Sequence, residues 1–327
     1  MVDRDSVDDL VARARSGDHR AVARLISLVE NASPRLREVT RALMPHAGAA
    51  AIVGITGSPG VGKSTSTSAM VTAYREAGKR VGVLAIDPSS PFSGGALLGD
   101  RIRMQEHATD PEVYIRSMAS RGHLGGLAWA TPQAVRVLDA AGCDVVLVET
   151  VGVGQAEVDI ASLADSTVVL LAPGMGDGIQ AAKAGILEIA DLLVVNKADR
   201  DGANATVRDL RAMLALGQRQ PGAWRPPVLT TIASRGEGVA EVVSEVNRHR
   251  DWMLSTGDLD RRRHARASAE IEALAVRAVR GQLDGVRGES ALPRLAQNVL
   301  AGRSDPYRAA DELLAALAAG EGAPSEA

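Results

Sequence analysis

The chain has 327 residues, a formal net charge of −3 and 46% apolar content, of which only 2% of the chain is aromatic, so its core must be filled by Ala, Val, Leu and Ile. That composition favours helices packed on a parallel sheet, and the near-balanced charge gives no overall electrostatic reason to hold nucleic acid or an anionic membrane. A single cysteine, Cys143, excludes an internal disulfide framework and a multi-thiolate zinc site.

The opening Met1-Val2-Asp3-Arg4-Asp5 lacks the basic-then-apolar order of a signal peptide. No apolar run approaches the ~18 residues needed to span a bilayer, so a soluble, cytoplasmic protein without a membrane partner is expected. Residues 1–46 read as a helical extension. Leu10, Val11 and Ala14 recur at helical spacing, as do Ala21, Val22, Leu25, Ile26 and Leu28, and Pro34 opens a third segment. The pattern then changes over 47–252 to short aliphatic runs separated by helical stretches. The runs are Ala51 to Thr56, Val81 to Asp87, Asp144 to Glu149, Thr167 to Ala172, Leu192 to Asn196 and Val228 to Ile232. This alternation predicts an α/β fold with a doubly wound, mostly parallel sheet. From 253 to 327 helical periodicity returns in Arg266 to Leu283, Leu292 to Leu300 and Pro306 to Leu317. The basic run Arg261-Arg262-Arg263-His264 reads as a solvated helix start rather than a patch for an acidic partner.

The first aliphatic run leads into Gly57-Ser58-Pro59-Gly60-Val61-Gly62-Lys63-Ser64, followed by Thr65. A strand, this G-x-x-x-x-G-K-[ST] pattern and a helix make a P-loop. Its glycines let successive N–H groups face phosphate oxygens, and the helix starting near Lys63 points its positive end at them. Lys63 is expected to contact the β- and γ-phosphates and Ser64 to coordinate Mg²⁺. Asn196-Lys197-Ala198-Asp199 follows the fifth run. A carboxylate at Asp199 can accept from the ring N–H and the 2-amino group of guanine, whereas adenine offers neither donor. The expected ligands are therefore GTP and GDP, with Ala233, Ser234 and Arg235 closing over the base.

Glu149 ends a hydrophobic run and precedes Thr150-Val151-Gly152. It stands where an acid holds Mg²⁺ or its waters, with the Gly152 amide sensing the γ-phosphate; Glu replaces the commoner Asp, which suits a water-mediated contact. Asp87 falls at the carboxyl edge of the sheet, where ligands bind in open α/β folds. Asp100 lies in a Gly-rich loop that either reaches the same pocket or caps a helix over Arg101 to His107. Gly174 to Lys183 reads as a turn entering a helix or as a second nucleotide-sensing switch. Gln155 lies three residues beyond Gly152, so no glutamine is obviously placed to orient the attacking water, and slow intrinsic turnover accelerated by a partner is expected.

Taken in order, Gly17-Asp18, the P-loop, Asp87 to Pro91, Leu97 to Arg101, Glu149 to Gln155, Gly174 to Lys183, Asn196 to Asp199 and Asp305-Pro306-Tyr307 give the chain a strong likeness to a known group. It resembles the methylmalonyl-CoA mutase-associated GTPases of the SIMIBI class, over nearly its whole length. The resemblance implies a homodimeric, Mg²⁺-dependent GTPase acting as a chaperone for adenosylcobalamin-dependent methylmalonyl-CoA mutase, gating cofactor loading and protecting or reactivating it. It also implies dimer contacts from the C-terminal helices, metal or catalytic roles for Asp87, Asp100 and Glu149, and a third switch containing Gln180 and Lys183. Two other readings are a kinase or ATPase energising transport of lysine, arginine or ornithine, and a metallochaperone GTPase. The second needs clustered Cys or His ligands, and His107 and His123 stand apart. A cobalamin carrier would need Asp-x-His-x-x-Gly, which the chain lacks.

Overall fold

A computed structural model of the chain describes residues 6–87, 104–119, 130–150, 156–174, 186–216, 222–287 and 291–318. The chain divides into two compact units, Met1–Arg262 and Arg263–Ala327.

The first unit is built on seven strands: β1 (Ala51–Thr56), β2 (Val81–Asp87), β3 (Val113–Ala119), β4 (Val145–Thr150), β5 (Ser166–Leu171), β6 (Leu192–Asn196) and β7 (Val228–Thr231). Their order is β3-β2-β4-β1-β5-β6-β7, and each neighbouring pair is parallel. β1, β4, β5 and β6 are buried at every position, which is why each reads as a continuous aliphatic run. The α/β, doubly wound sheet of the sequence reading is observed, and its parallel character is complete. β3 was not among the expected strands. Val113-Tyr114-Ile115-Arg116-Ser117-Met118-Ala119 interrupts its apolar residues with Arg116 and Ser117, as an edge strand with a half-buried centre permits.

Helices α1 (Val7–Arg15), α2 (His19–Glu30) and α3 (Leu36–Leu43) precede the sheet. Ser6 caps the first by accepting from the Asp9 amide at 3.1 Å. Asp18 caps the second through the amides of Arg20 and Ala21, while the Arg13 guanidinium, first among its causes, holds the Asp18 carboxyl below its ordinary range. These helices share one core with the sheet: Leu10, Leu25 and Val39 join Leu84, Ile86 and Val146. The opposite face is covered by α4 (Lys63–Glu76) and the helix Val239–Thr256, whose Met70, Val71, Val242 and Val246 pack with Val53, Ile55, Val83 and Leu147. Toward β6, the helix Ala203–Leu216 adds Val207 and Leu210 to Leu193 and Val195.

The second unit is helical. It holds the continuation of Asp258–Arg287, then Ala291–Leu300 and Pro306–Ala318, the last capped by Asp305 through the amides of Tyr307 and Arg308. Large apolar side chains stand exposed along it, among them Ile271, Leu274, Val279, Tyr307 and Leu314. No helix among the described residues is long and apolar enough to cross a membrane.

Candidate nucleotide site

β1 lies at the centre of the sheet, between β4 and β5, so the loop that leaves it opens at the carboxyl edge where the strand order reverses. That loop is Gly57 to Gly62. Its backbone is left-handed at Gly60 and Gly62, with φ of 81° and 96°, and Gly57 has φ of 141°. Two of the glycines are also demanded by neighbours. A Cβ on Gly57 would fall 2.2 Å from the Leu170 carbonyl oxygen, and one on Gly62 would fall 2.5 Å from Nδ2 of Asn196.

The helix α4 begins at Lys63, so its free N–H groups and positive end face the loop. Lys63 is buried, at 8% exposure, and its ammonium donates to the carbonyls of Gly57 at 2.8 Å and Ser58 at 3.1 Å. The charge is thus fixed inside the loop, beside the space the loop's amides enclose. Thr56 and Thr150, at the ends of β1 and β4, meet through their hydroxyls at 3.1 Å, and Glu149 precedes Thr150 in register with Ile55. From there the Glu149 carboxylate accepts from the Ser64 hydroxyl at 2.6 Å, both residues being buried. A hydroxyl and a carboxylate side by side at a phosphate-binding loop form the hard oxygen set that Mg²⁺ prefers, so the residues present fit that ion.

The Asn196 to Asp199 segment, expected from the sequence to read guanine, is tied directly to this loop. Asn196 donates from Nδ2 to the Val61 carbonyl at 2.8 Å. Its Oδ1 accepts from the Thr231 hydroxyl and from the Ala233 amide, both at 3.1 Å. One buried amide side chain therefore joins the P-loop, the end of β6 and the Ala233–Arg235 turn. Lys197 follows with φ of 58°, a left-handed conformation costing a non-glycine residue about 1–2 kcal/mol. Its ammonium donates to Gly60 at 2.6 Å. Asp199 stands at the rim of this assembly, 41% exposed, with the Arg235 guanidinium 3.8 Å away. That exposed pair is weak in itself, which leaves the carboxylate able to take other donors.

A cavity of about 630 Å³ runs beside α4, lined in part by Thr65, Ser68, Glu106, Ser234 and Arg235. Ser68 meets His107 Nε2 at 3.0 Å and donates to the Glu106 carboxylate. Nothing in the one-dimensional pattern marks this trio. Ser68 is a helix-interior residue, and Glu106 and His107 come from a short turn nearly forty positions on.

The structure therefore brings together Gly57, Ser58, Pro59, Gly60, Val61, Gly62, Lys63, Ser64, Thr65, Glu149, Asn196, Lys197, Asp199, Ala233, Ser234 and Arg235 at one sheet edge. Asp87 ends β2, one position past the Ile86–Thr150 pairing, while its side chain lies outside the described part of the structure. Asp100, Gly152, Gln180 and Lys183 lie outside the described residues.

Comparison with known proteins places the chain in a family. The family model "Methylmalonyl Co-A mutase-associated GTPase MeaB" matches residues 22–285. A protein of Pyrococcus abyssi named as a GTPase is 48% identical over 317 residues, covering 96% of this chain and 98% of the relative. The GTPase ArgK of Escherichia coli is 36% identical over 266 residues, 79% of this chain and 80% of its own. The mitochondrial methylmalonic aciduria type A homolog of Mus musculus is 36% identical over 331 residues, 95% of this chain and 79% of its own. Among solved structures, one described as a LAO/AO transport system kinase superposes with a TM-score of 0.68 at 26% identity, covering 96% of this chain and 98% of that one. By its P-loop sheet, its guanine-type motif and these matches over most of its length, the chain belongs to the methylmalonyl-CoA mutase-associated GTPase family and is a GTP hydrolase.

Proposed function

We propose that the chain is a Mg²⁺-dependent GTPase that acts as a chaperone for an adenosylcobalamin-dependent methylmalonyl-CoA mutase, coupling nucleotide state to loading and protection of the mutase cofactor. The observation that carries the nucleotide half is the Asn196 side chain, bonded at once to Val61, Thr231 and Ala233. Through it, the parts read as holding phosphate and base are hydrogen-bonded to one another. The family match, and the mouse relative named for methylmalonic aciduria, support the client half.

In this reading the loop amides and Lys63 neutralise the β- and γ-phosphates, and Asp199 accepts from the guanine N–H and 2-amino groups while Ala233 to Arg235 close over the base. Ser64 and Glu149, with Asp87 and Asp100 as further ligands or water-positioning groups, would hold the metal. Bound there, Mg²⁺ would supply positive charge that offsets the negative charge developing on the phosphate oxygens. The Gly152 amide reads the γ-phosphate, and Gln180 and Lys183 form a switch that the partner engages. The exposed apolar residues of the last three helices serve as a homodimer surface, so the chain has three functional parts, 1–46, 47–252 and 253–327. The setting is cytoplasmic.

Binding of purified mutase to the chain loaded with GDP or with a non-hydrolysable GTP analogue tests the proposal. A nucleotide-dependent difference in affinity is expected; identical, absent or nucleotide-blind binding contradicts it. The likeness to a protein described as a transport-system kinase favours a second reading, energising amino-acid transport. Transfer of ³²P from the γ-phosphate of GTP to an added transport protein, rather than to water, would select it.

A further inference from the structure

The cavity of about 630 Å³ beside α4 joins the phosphate and base sides of the nucleotide edge. Thr65, in the first turn of α4 next to Ser64, lines it, and so do Ala233, Ser234 and Arg235. In a nucleoside phosphate the sugar links those two parts, so a guanine nucleotide held as proposed carries its ribose through this cavity.

The charged residues that line it, among the described residues, are Glu76, Glu106 and Arg235. Arg235 already stands 3.8 Å from Asp199 and 3.7 Å from Glu237. Glu76 ends α4, about 16 Å along the helix from Thr65 at a rise of 1.5 Å per residue, which puts it out of reach of the sugar. Glu106 is different, because it is anchored to Ser68, a single turn beyond Thr65.

That anchor fixes one carboxylate oxygen and leaves the other. With its proton on Nε2, the buried His107 ring donates to the Ser68 hydroxyl at 3.0 Å and to the Ser68 carbonyl at 3.1 Å. The hydroxyl keeps its own proton for Oε1 of Glu106, which is also the oxygen nearest His107, at 3.6 Å. Oε2 takes no hydrogen bond among the described residues, and the side chain is 65% exposed. A carboxylate held in place by one oxygen, with the other turned to no protein donor, is an acceptor for hydroxyl groups and repels anions.

We infer that Glu106 determines specificity for the sugar: its carboxylate accepts from the 2′ and 3′ hydroxyls of the ribose, with Ser68 and His107 as positioning residues. The same charge disfavours guanine nucleotides that carry a phosphate on the sugar. The inference rests on the guanine-nucleotide reading and extends it to the part of the ligand between phosphate and base.

Titration calorimetry on the full chain with GDP, 2′,3′-dideoxy-GDP, ADP and GDP bearing a 3′-phosphate tests it. The dideoxy nucleotide should bind about three- to thirtyfold more weakly than GDP, the worth of one or two hydrogen bonds at an exposed group. In Glu106→Ala, GDP should fall to the affinity of the dideoxy nucleotide, whose own affinity stays unchanged. The 3′-phosphorylated form should gain about two- to fivefold in that variant as the repulsion is lifted. Equal binding of GDP and dideoxy-GDP by the unaltered chain, an equal loss of both in the variant, as a purely structural role would give, or no gain by the 3′-phosphorylated form would each overturn the inference. A missing preference for GDP over ADP with the ribose effect intact would fault the base reading alone, and no binding of GDP at all would overturn both.

Discussion

Asn196 and Gly62 show how closely single residues are matched at the nucleotide edge. The Asn196 amide occupies the space that any side chain at position 62 would need, and it holds the P-loop through Val61. Gly60 has the same left-handed backbone and open space around it. The two positions therefore separate conformational strain from collision. Gly60→Ala should cost about 1–2 kcal/mol in urea unfolding without nucleotide, the left-handed penalty alone. Gly62→Ala should cost more and should also weaken GDP binding by displacing Asn196; equal costs at the two sites would refute the packing argument. At Asp199 the chemistry is separable from the fold because the side chain is exposed. Asp199→Asn presents an amide donor where guanine carries donors, so preference for GDP should collapse, while xanthosine diphosphate, with a carbonyl in place of the 2-amino group, should gain affinity. Unchanged selectivity measured by competition would remove Asp199 from base recognition. These residues were readable in the sequence because phosphate and guanine binding each impose residue types at fixed spacing. Asn196 as the link between them was not, since its partners lie 135 and 37 positions away.

Elements are held in place by buried polar contacts that periodicity does not reveal. The helix Thr131–Ala140 ends near Asp139, whose carboxylate gathers the three amides leading into β1. Asp139→Ala leaves those donors without their acceptor and should lower stability by about 1–3 kcal/mol, seen as a lower urea midpoint with an unchanged slope. A second contact joins the helix Val239–Thr256, β5, the start of β6 and the helix beginning at Asp258. His249, wholly buried, meets Ser166 at 2.7 Å and Asp191 at 3.3 Å, and Arg262 grips Asp191 with two hydrogen bonds. In a neutral ring Nδ1 accepts from the Ser166 hydroxyl, while Nε2 stands 3.3 Å from Asp191 without a hydrogen bond.

Burial is the leading cause that lowers the His249 pKa; it outweighs the raising effect of Asp191, and the Arg262 charge lowers it further. With the folded value below the unfolded one, the unfolded chain takes up the proton first as pH falls. The stabilisation is therefore complete above the unfolded value near ~6.5 and is lost as pH drops through the folded value. Thermal midpoints should fall between about pH 7 and 5, and His249→Gln should flatten that part of the profile; the same slope in the variant would rule out His249 as its source. The fully buried central strands were legible as aliphatic runs because helices cover both faces. β3 was not, because an edge strand need not be apolar throughout, and Arg116 there pairs with Glu30 of α2 instead of entering a core.

At the scale of the whole molecule, residues 6–262 hold the sheet, its covering helices and every described residue of the nucleotide site. The remaining helices expose Ile271, Leu274, Val279, Tyr307 and Leu314, more large apolar side chains than a solvated helical tail requires. A chain ending at Arg262 should bind GDP as the full chain does but run as a monomer in light scattering, where the full chain should run as a dimer. A monomeric full chain would contradict the assignment of the tail to dimerisation. Sequence periodicity located these helices well, yet it carried no information on what their apolar faces meet, because a partner leaves no spacing rule.

The same limit applies to the client proposed for the GTPase, and one measurement addresses it most directly. Single-turnover hydrolysis of GTP should be slow for the chain alone and should accelerate saturably as methylmalonyl-CoA mutase is titrated in, with no acceleration of ATP hydrolysis. A rate that stays constant over the full titration would contradict the account.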